Sequence, residues 1–313
     1  MLGIPRSTLD HRLSTARKMD LPEEGVELPD FPDDDISAED ILDHMERRSD
    51  KEREHQDALN WFRIKVKDDK PIGVLWFGDP HLGPKCNIKL LRRDMALARD
   101  TDGLYAANIG DTVDGWGQRL VHLYAQIDIS RSTEWKLAKW FLEEAEMPWL
   151  LWLFGNHDLM HSGFTDYLST INAAAIPMLD WRAKFIIEFP NGAEIKIDAA
   201  HDHKGRSWFH ELQGQIRAAL ETAYEADLYM AGHHHVWAIM SREAPDHRVI
   251  SYARCRGYKW HDDFALHHTF PELQHGSSIL TIFDPDPNSA VGKVRCFADA
   301  EEGAEFLTYL RQK

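Results

Sequence analysis

Trp149-Leu150-Leu151-Trp152-Leu153-Phe154-Gly155-Asn156-His157-Asp158 sets six apolar residues directly against a glycine and three polar side chains. Six apolar residues without alternation read as a strand buried on both faces, the pattern of a sheet covered by other layers. A polar cluster straight after such a strand is expected where successive strand ends converge on one crevice. The same arrangement recurs along the chain. Asp79-Pro80-His81 follows Ile72–Phe77, and Gly110-Asp111-Thr112-Val113-Asp114 follows Leu104–Ile109. Ala200-His201-Asp202 follows Glu194–Ile197, and Gly232-His233-His234-His235 follows Leu228–Ala231. Singly, a solvated loop would explain any of them; all five in order, each after a strand, call for a common site.

Working outward, Trp61–Val66 and Ile72–Phe77 read as strands separated by the turn Asp68-Asp69-Lys70-Pro71. Ile88–Asp100 reads as an amphipathic helix with Leu90, Leu91 and Met95 inward, and Thr133–Glu146 as a second helix. Phe185–Phe189 and Glu194–Ile197 form a hairpin around Pro190-Asn191-Gly192, and Gln213–Glu225 is a helix. Val249–Ala253, Ser278–Phe283 and Lys293–Phe297 are later strands, and Glu301–Arg311 closes the chain as a helix. Strands alternating with helices, then strand-rich segments, predict an α/β fold: a two-sheet β-sandwich flanked by helices, with a short helical N-terminal extension. Gly78, Gly110, Gly155 and Gly232 are expected to let the backbone turn sharply before the ligands.

The extension divides into three parts. Residues 1–18 resemble the turn and recognition helix of a helix-turn-helix unit, with Leu9 and Leu13 on one face and Arg6, Ser7, Thr8 and Arg12 facing a groove. A surface amphipathic helix is the alternative. Residues 19–36 read as an acidic linker punctuated by Pro22, Pro29 and Pro32. Residues 37–58 read as a charged helix capped by Ser37. The catalytic domain is expected over 59–313.

The formal net charge of -16 argues against a broad electrostatic hold on nucleic acid. It leaves room for a polyanion at a metal-bearing site, where bound cations are the largest local charges. Three scattered cysteines, Cys86, Cys255 and Cys296, predict free thiols and a cytoplasmic location. No apolar run approaches the ~18 residues of a membrane span, so no membrane partner is expected.

Carboxylate, amide oxygen and imidazole together supply enough ligands for two metal ions sharing one carboxylate. Such a donor set suits Mn²⁺ first, with Fe²⁺ and Zn²⁺ as alternatives, while so many imidazoles disfavour an all-oxygen Mg²⁺ site. Two ions ~3.5–4 Å apart are the equipment for phosphoester hydrolysis by in-line attack. The motifs, D-x-H, G-D-x-x-D, G-N-H-D, H and G-H-x-H, resemble those of the calcineurin-like metallophosphoesterases over about residues 70–240. That resemblance implies that Asp79, His81 and His235 hold one metal and Asn156, His201 and His233 the other. It implies that Asp111 bridges them, with a metal-bridging hydroxide as nucleophile. His157 would act on the leaving oxygen, oriented by Asp158, with Asp114 behind the ligands. His234 should point elsewhere. The pairing with a DNA-binding head resembles phage and prophage phosphoesterases, and favours a phosphodiester substrate such as DNA, RNA or a nucleotide. A phosphomonoesterase or protein phosphatase is the alternative, although Gly115-Trp116 replaces the Arg-Gly that follows the phosphatase motif. A DNA-binding regulator with a silent esterase domain is a third reading.

Two further features are singled out. Lys204 and Arg206 follow His201 closely, and Arg254, Arg256 and Lys259 alternate with Tyr258 and Trp260, as a surface holding phosphates and stacking bases would; ordinary surface and core residues of a strand and its turn are the alternative. Residues 203–216, with Trp208, Phe209 and His210, suggest a lid.

Overall fold

The computed structural model describes residues 60–115, 129–160, 163–207, 209–260, 275–286, 289 and 291–313, with positions 39, 42, 43, 45–47 and 49. The chain divides into two units, Met1–Arg53 and Glu54–Lys313. In the first, the described positions are helical, and Arg47 donates to the Asp43 carbonyl at 3.1 Å. The readings of 1–18 and 19–36 lie outside the described residues.

The second unit contains two six-stranded sheets, as expected for an α/β sandwich. Six of the twelve strands precede the hairpin turn: β1 (Asn60–Lys65), β2 (Ile72–Phe77), β3 (Leu104–Ile109), β4 (Trp149–Phe154), β5 (Met178–Asp180) and β6 (Arg182–Glu188). After it come β7 (Glu194–Ala200), β8 (Leu228–Ala231), β9 (Ala238–Glu243), β10 (Val249–Arg254), β11 (Ser278–Phe283) and β12 (Val294–Phe297). One sheet runs β12-β11-β2-β3-β4-β5 and the other β1-β6-β7-β8-β10-β9. The turn at 68–71 therefore does not close a hairpin. It carries the chain from the half-exposed edge strand β1 of one sheet to the centre of the other.

Helices are α1 (Ile88–Asp100), α2 (Arg131–Lys139), α3 (Asn156–Met160), α4 (Phe164–Ile171), α5 (Gln213–Glu221) and α6 (Ala300–Gln312). Two predicted helices end early. At Lys139 α2 gives way to a π-helical turn over Trp140–Glu144. α5 stops at Glu221 because Ala223 and Tyr224 take positive φ, 50° and 59°. The short elements β5, α3 and α4, and the edge strand β9, carry too little periodicity to be read from sequence.

Three apolar layers hold the unit together. Val74, Trp76, Ile109, Leu151 and Leu153 of one sheet meet Phe185, Ile187, Ile195, Ile197, Leu228 and Met230 of the other. The alternate residues Leu75, Phe77, Ala106, Trp152 and Phe154 face α1, the π-helical turn and α6 through Leu91, Met95, Phe141 and Leu307. Tyr229, Ile250 and Tyr252 pack on α5 through Ala218 and Ala219. Both faces of β2–β4 are buried, which is why these strands are apolar throughout.

Among the described residues of the helix layer, the acids Asp94 and Glu134 are buried. Asp94 of α1, fully buried, accepts from Tyr258 Oη at 2.6 Å, Ser278 Oγ at 2.7 Å and Arg93 Nη2 at 2.7 Å. It pins the 255–260 loop to the helix layer. We expect Asp94→Ala to strand two buried hydroxyls and lower unfolding free energy by about 2–3 kcal/mol. Denaturant titration checks this; an unchanged midpoint would mean the loop is held otherwise.

Candidate metal centre

The five motifs meet at one end of the sandwich, where both sheets deliver strand ends. β2, β3 and β4 bring Asp79, Asp111 and Asn156; β7 and β8 bring His201 and His233. Backbone hydrogen bonds join the loops to one another. Asp79 N donates to Gly110 O at 3.2 Å, His81 N to Asp111 O at 3.0 Å, and Gly232 N to His201 O at 3.0 Å. Across the seam between the sheets, His233 N donates to Asp79 Oδ2 at 2.8 Å.

The glycines act differently from expectation. Of the four before the ligands, Gly110 alone takes a positive φ, 101°. The left-handed residues are the expected ligands themselves: Asp79 (44°), His81 (42°), Asp111 (53°), His233 (70°) and His235 (51°). Gly155 is required for close approach, since a Cβ there would meet Asp111 Oδ1 and, at 2.5 Å, Asp111 N. A Cβ on Gly232 would come within 2.5 Å of Asp79 Oδ2.

Among the described residues, three groups of side chains could hold a metal ion: Asp79 with His81 and His235, His81 with Asp111 and His157, and Asp111 with His201 and His233. Asp111 is 1% exposed. Its Oδ1 accepts the His157 backbone N–H at 2.9 Å. Its Oδ2 lies 3.3 Å from His201 Nε2 and 3.8 Å from His81 Nε2, facing both halves. His201 donates from Nδ1 to Ile109 O at 2.9 Å, and its Nε2 lies 3.0 Å from both Asn156 Oδ1 and His233 Nδ1. The His81 and His235 rings stack at 5.2 Å.

The electrostatics fit a cation. Burial holds His81, His233 and His235 below the usual imidazole range, in the neutral form that ligates metals. Burial pushes Asp79 up; it acts on Asp111 too, but there His201, His157 and His81 outweigh it and hold the carboxyl low. Burial lowers His201, yet the Asp111 charge drives it up to about 10. A positive charge is thus called for beside the two carboxylates. Neither ring nitrogen of His81 completes a hydrogen bond, although Nδ1 lies 3.1 Å from Asp114 Oδ1. A buried imidazole so placed suits a metal ligand.

The outer contacts redistribute two expected roles. Asp158 is fully buried and accepts from Thr112 N (2.9 Å), Val113 N (3.4 Å) and Gly155 N (3.0 Å). Its carboxylate thus ties two ligand loops together. The group meeting the His157 ring is the Asp114 carbonyl, which accepts from Nδ1. Asp114 Oδ1 accepts from Lys259 Nζ at 2.7 Å. Burial would raise Asp114, but His81 and Lys259 outweigh it and hold it well below the carboxylate range. His234 does turn away, its Nε2 3.3 Å from Asp202 Oδ1.

The basic–aromatic cluster is not a phosphate surface. Arg254 is buried and donates to the Glu211 and Gly232 carbonyls, Asp202 and Gln215. Arg256 donates to His275 O and Ser277 Oγ. The lid reading also fails over part of its length. Leu212 and Gln215 are buried, and Gln213–Ile216 opens α5. Phe209 is 97% exposed, and Trp208 lies outside the described residues. Sequence reasoning missed Trp181, whose ring lies 5.1 Å from His201 and 6.2 Å from His233. It follows a three-residue strand and carries no local signal.

No protein-family model matches the chain, and no curated protein matches it. Among solved structures it is similar to an archaeal phosphodiesterase, with 14% identity over 73% of this chain and 100% of that one, TM-score 0.39. It is also similar to zinc-complexed Vps29 from Entamoeba histolytica (13% identity, 72% and 97% covered, TM-score 0.36). A third is a predicted phosphoesterase from Streptococcus pneumoniae (14%, 73% and 98%, TM-score 0.34). Among the described residues, no helix is long and apolar enough to cross a membrane.

Gly155→Ala should weaken Mn²⁺ binding by about 10-fold or more, because the added methyl displaces Asp111. Calorimetric titration reads this directly. Unchanged affinity would show that Asp111 does not take part in metal binding.

Proposed function

We propose that the chain is a dinuclear, metal-dependent phosphoesterase of the calcineurin-like superfamily that hydrolyses phosphodiesters of nucleic acid or nucleotides. The observation that carries this reading is the position of Asp111. One buried carboxylate belongs to two of the three candidate metal groups and faces histidines on both sides. We assign Asp79, His81 and His235 to one ion, Asn156, His201 and His233 to the other, and Asp111 to both. Mn²⁺ is the preferred metal, with Fe²⁺ or Zn²⁺ able to replace it.

Two such ions would acidify a water and neutralise phosphoryl oxygens in an in-line displacement. The protein's own groups supply orientation and a proton. Asp114 is held charged by Lys259 and faces His81 Nδ1, so His81 Nε2 points to Asp111. A carbonyl can only accept, so the contact between His157 Nδ1 and Asp114 O places a hydrogen on Nδ1. Nε2 then carries a proton only in the imidazolium form, and that proton is the one His157 would deliver to the leaving oxygen. Asp158 is a positioning residue, acting through the backbone of both loops. A cytoplasmic location agrees with three free cysteines, two of them buried.

The test compares bis-p-nitrophenyl phosphate with p-nitrophenyl phosphate in the presence of Mn²⁺. The diester should be cleaved faster, EDTA should abolish turnover, and Asp111→Ala and His157→Ala should each lower kcat by about 100-fold or more. Monoester preference would move the assignment to a phosphatase. Full activity in Asp111→Ala would sink the two-metal reading.

A further inference from the structure

Trp181 is the least expected side chain at the centre. It sits between β5 and β6 with φ 62°, a conformation that a bulky residue adopts only when its surroundings enforce it. Three hydrogen bonds do so. Its N–H donates to Phe154 O at 3.0 Å, its carbonyl accepts from His201 N at 2.7 Å, and its indole N–H donates to Asp202 O at 3.0 Å. The backbone thus bridges the ends of β4 and β7, and the ring is fixed against His201 and His233. Yet 37% of the residue stays exposed. With its N–H engaged, what it offers solvent beside the ligand imidazoles is π-surface.

Charge decides what that surface is for. The chain carries a net charge of -16, so it does not hold a polyanion by its general field. Arg254 and Arg256, in β10 and the loop after it, are buried and donate to carbonyls and polar side chains, whereas Lys204 and Arg206, soon after His201, are exposed. Lys259 is committed to Asp114. Uncharged contact with an exposed ring would add binding energy beyond the phosphate itself. Trp237 and Trp260, 37% and 38% exposed, follow His235 and Lys259 closely in the chain and extend the aromatic character of these loops.

We propose that Trp181 is a stacking platform for a nucleobase, so that the phosphoester presented to the centre belongs to a nucleotide or a short single strand. The proposal rests on the phosphoesterase reading above and adds the class of its substrate. An extended duplex is disfavoured, because paired bases offer no free face to stack.

Adenosine 5′-monophosphate and ribose 5-phosphate share the sugar phosphate and differ in the base, so their affinity ratio isolates stacking. Calorimetry on the full chain with Mn²⁺ should give a ratio of about 10 in favour of the nucleotide. If phosphate release shows turnover, the same ratio is read from KM. Trp181→Leu should bring the ratio near one, and Trp181→Phe should retain most of it. A ratio near one in the unmodified protein, or one unchanged in Trp181→Leu, overturns the proposal. Should Trp181→Leu fail to fold, the unmodified protein and Trp181→Phe still decide. Failure of both ligands to bind, with bis-p-nitrophenyl phosphate still cleaved, would also overturn the proposal, whereas loss of that cleavage would overturn the phosphoesterase reading beneath it.

Discussion

Burying the Asp111 carboxylate where two apolar sheets meet is the constraint around which this end of the molecule is organised. A carboxylate so placed needs donors and a counter-charge. The His157 N–H meets one oxygen, and His201 and His81 approach the other. Each histidine needs a support of its own. Ile109 O receives the His201 Nδ1 proton, and Asp114 with Lys259 stands behind His81. Asp158 in turn satisfies the amides of the loops that present these groups. Loss of any member leaves a buried polar atom somewhere else in the chain of contacts.

The strands leading to this site were legible because apolar runs buried on both faces have few alternatives. β2, β3, β4, β8 and β11 fall where the sequence places them, as does α1. β5 and β9 were not legible: one is three residues long, and the other is a half-exposed edge. The seven expected metal ligands come together because each is fixed by the end of a strand. Contacts made across long separations were beyond reach. Lys259 stands 145 residues from Asp114, and nothing near either residue announces the other. Arg254 and Arg256 misled for a related reason: their alternation with aromatics marks β10 and the loop after it, and burial there turns both guanidiniums inward. The ligand glycines were read as turns when most are needed for clearance, a requirement that depends on what lies opposite.

Left-handed backbone at five ligands has a thermodynamic meaning. Each such residue costs on the order of 1–3 kcal/mol, so the site is held open against local preference by the surrounding fold. A cation shared by Asp79 and Asp111 would offset the repulsion between their carboxylates.

The expected ligands come from both sheets, and they straddle the interlayer seam. Asp79 and Asp111 belong to one layer, His201 and His233 to the other, and the layers touch through side chains such as Val74, Ile109, Leu228 and Met230. Close-packed interiors transmit small displacements instead of absorbing them. The centre is in this sense a gauge of layer alignment. A volume change deep between the sheets would be read out as donor spacing, so that selectivity among cations of different radius becomes a property of the whole sandwich.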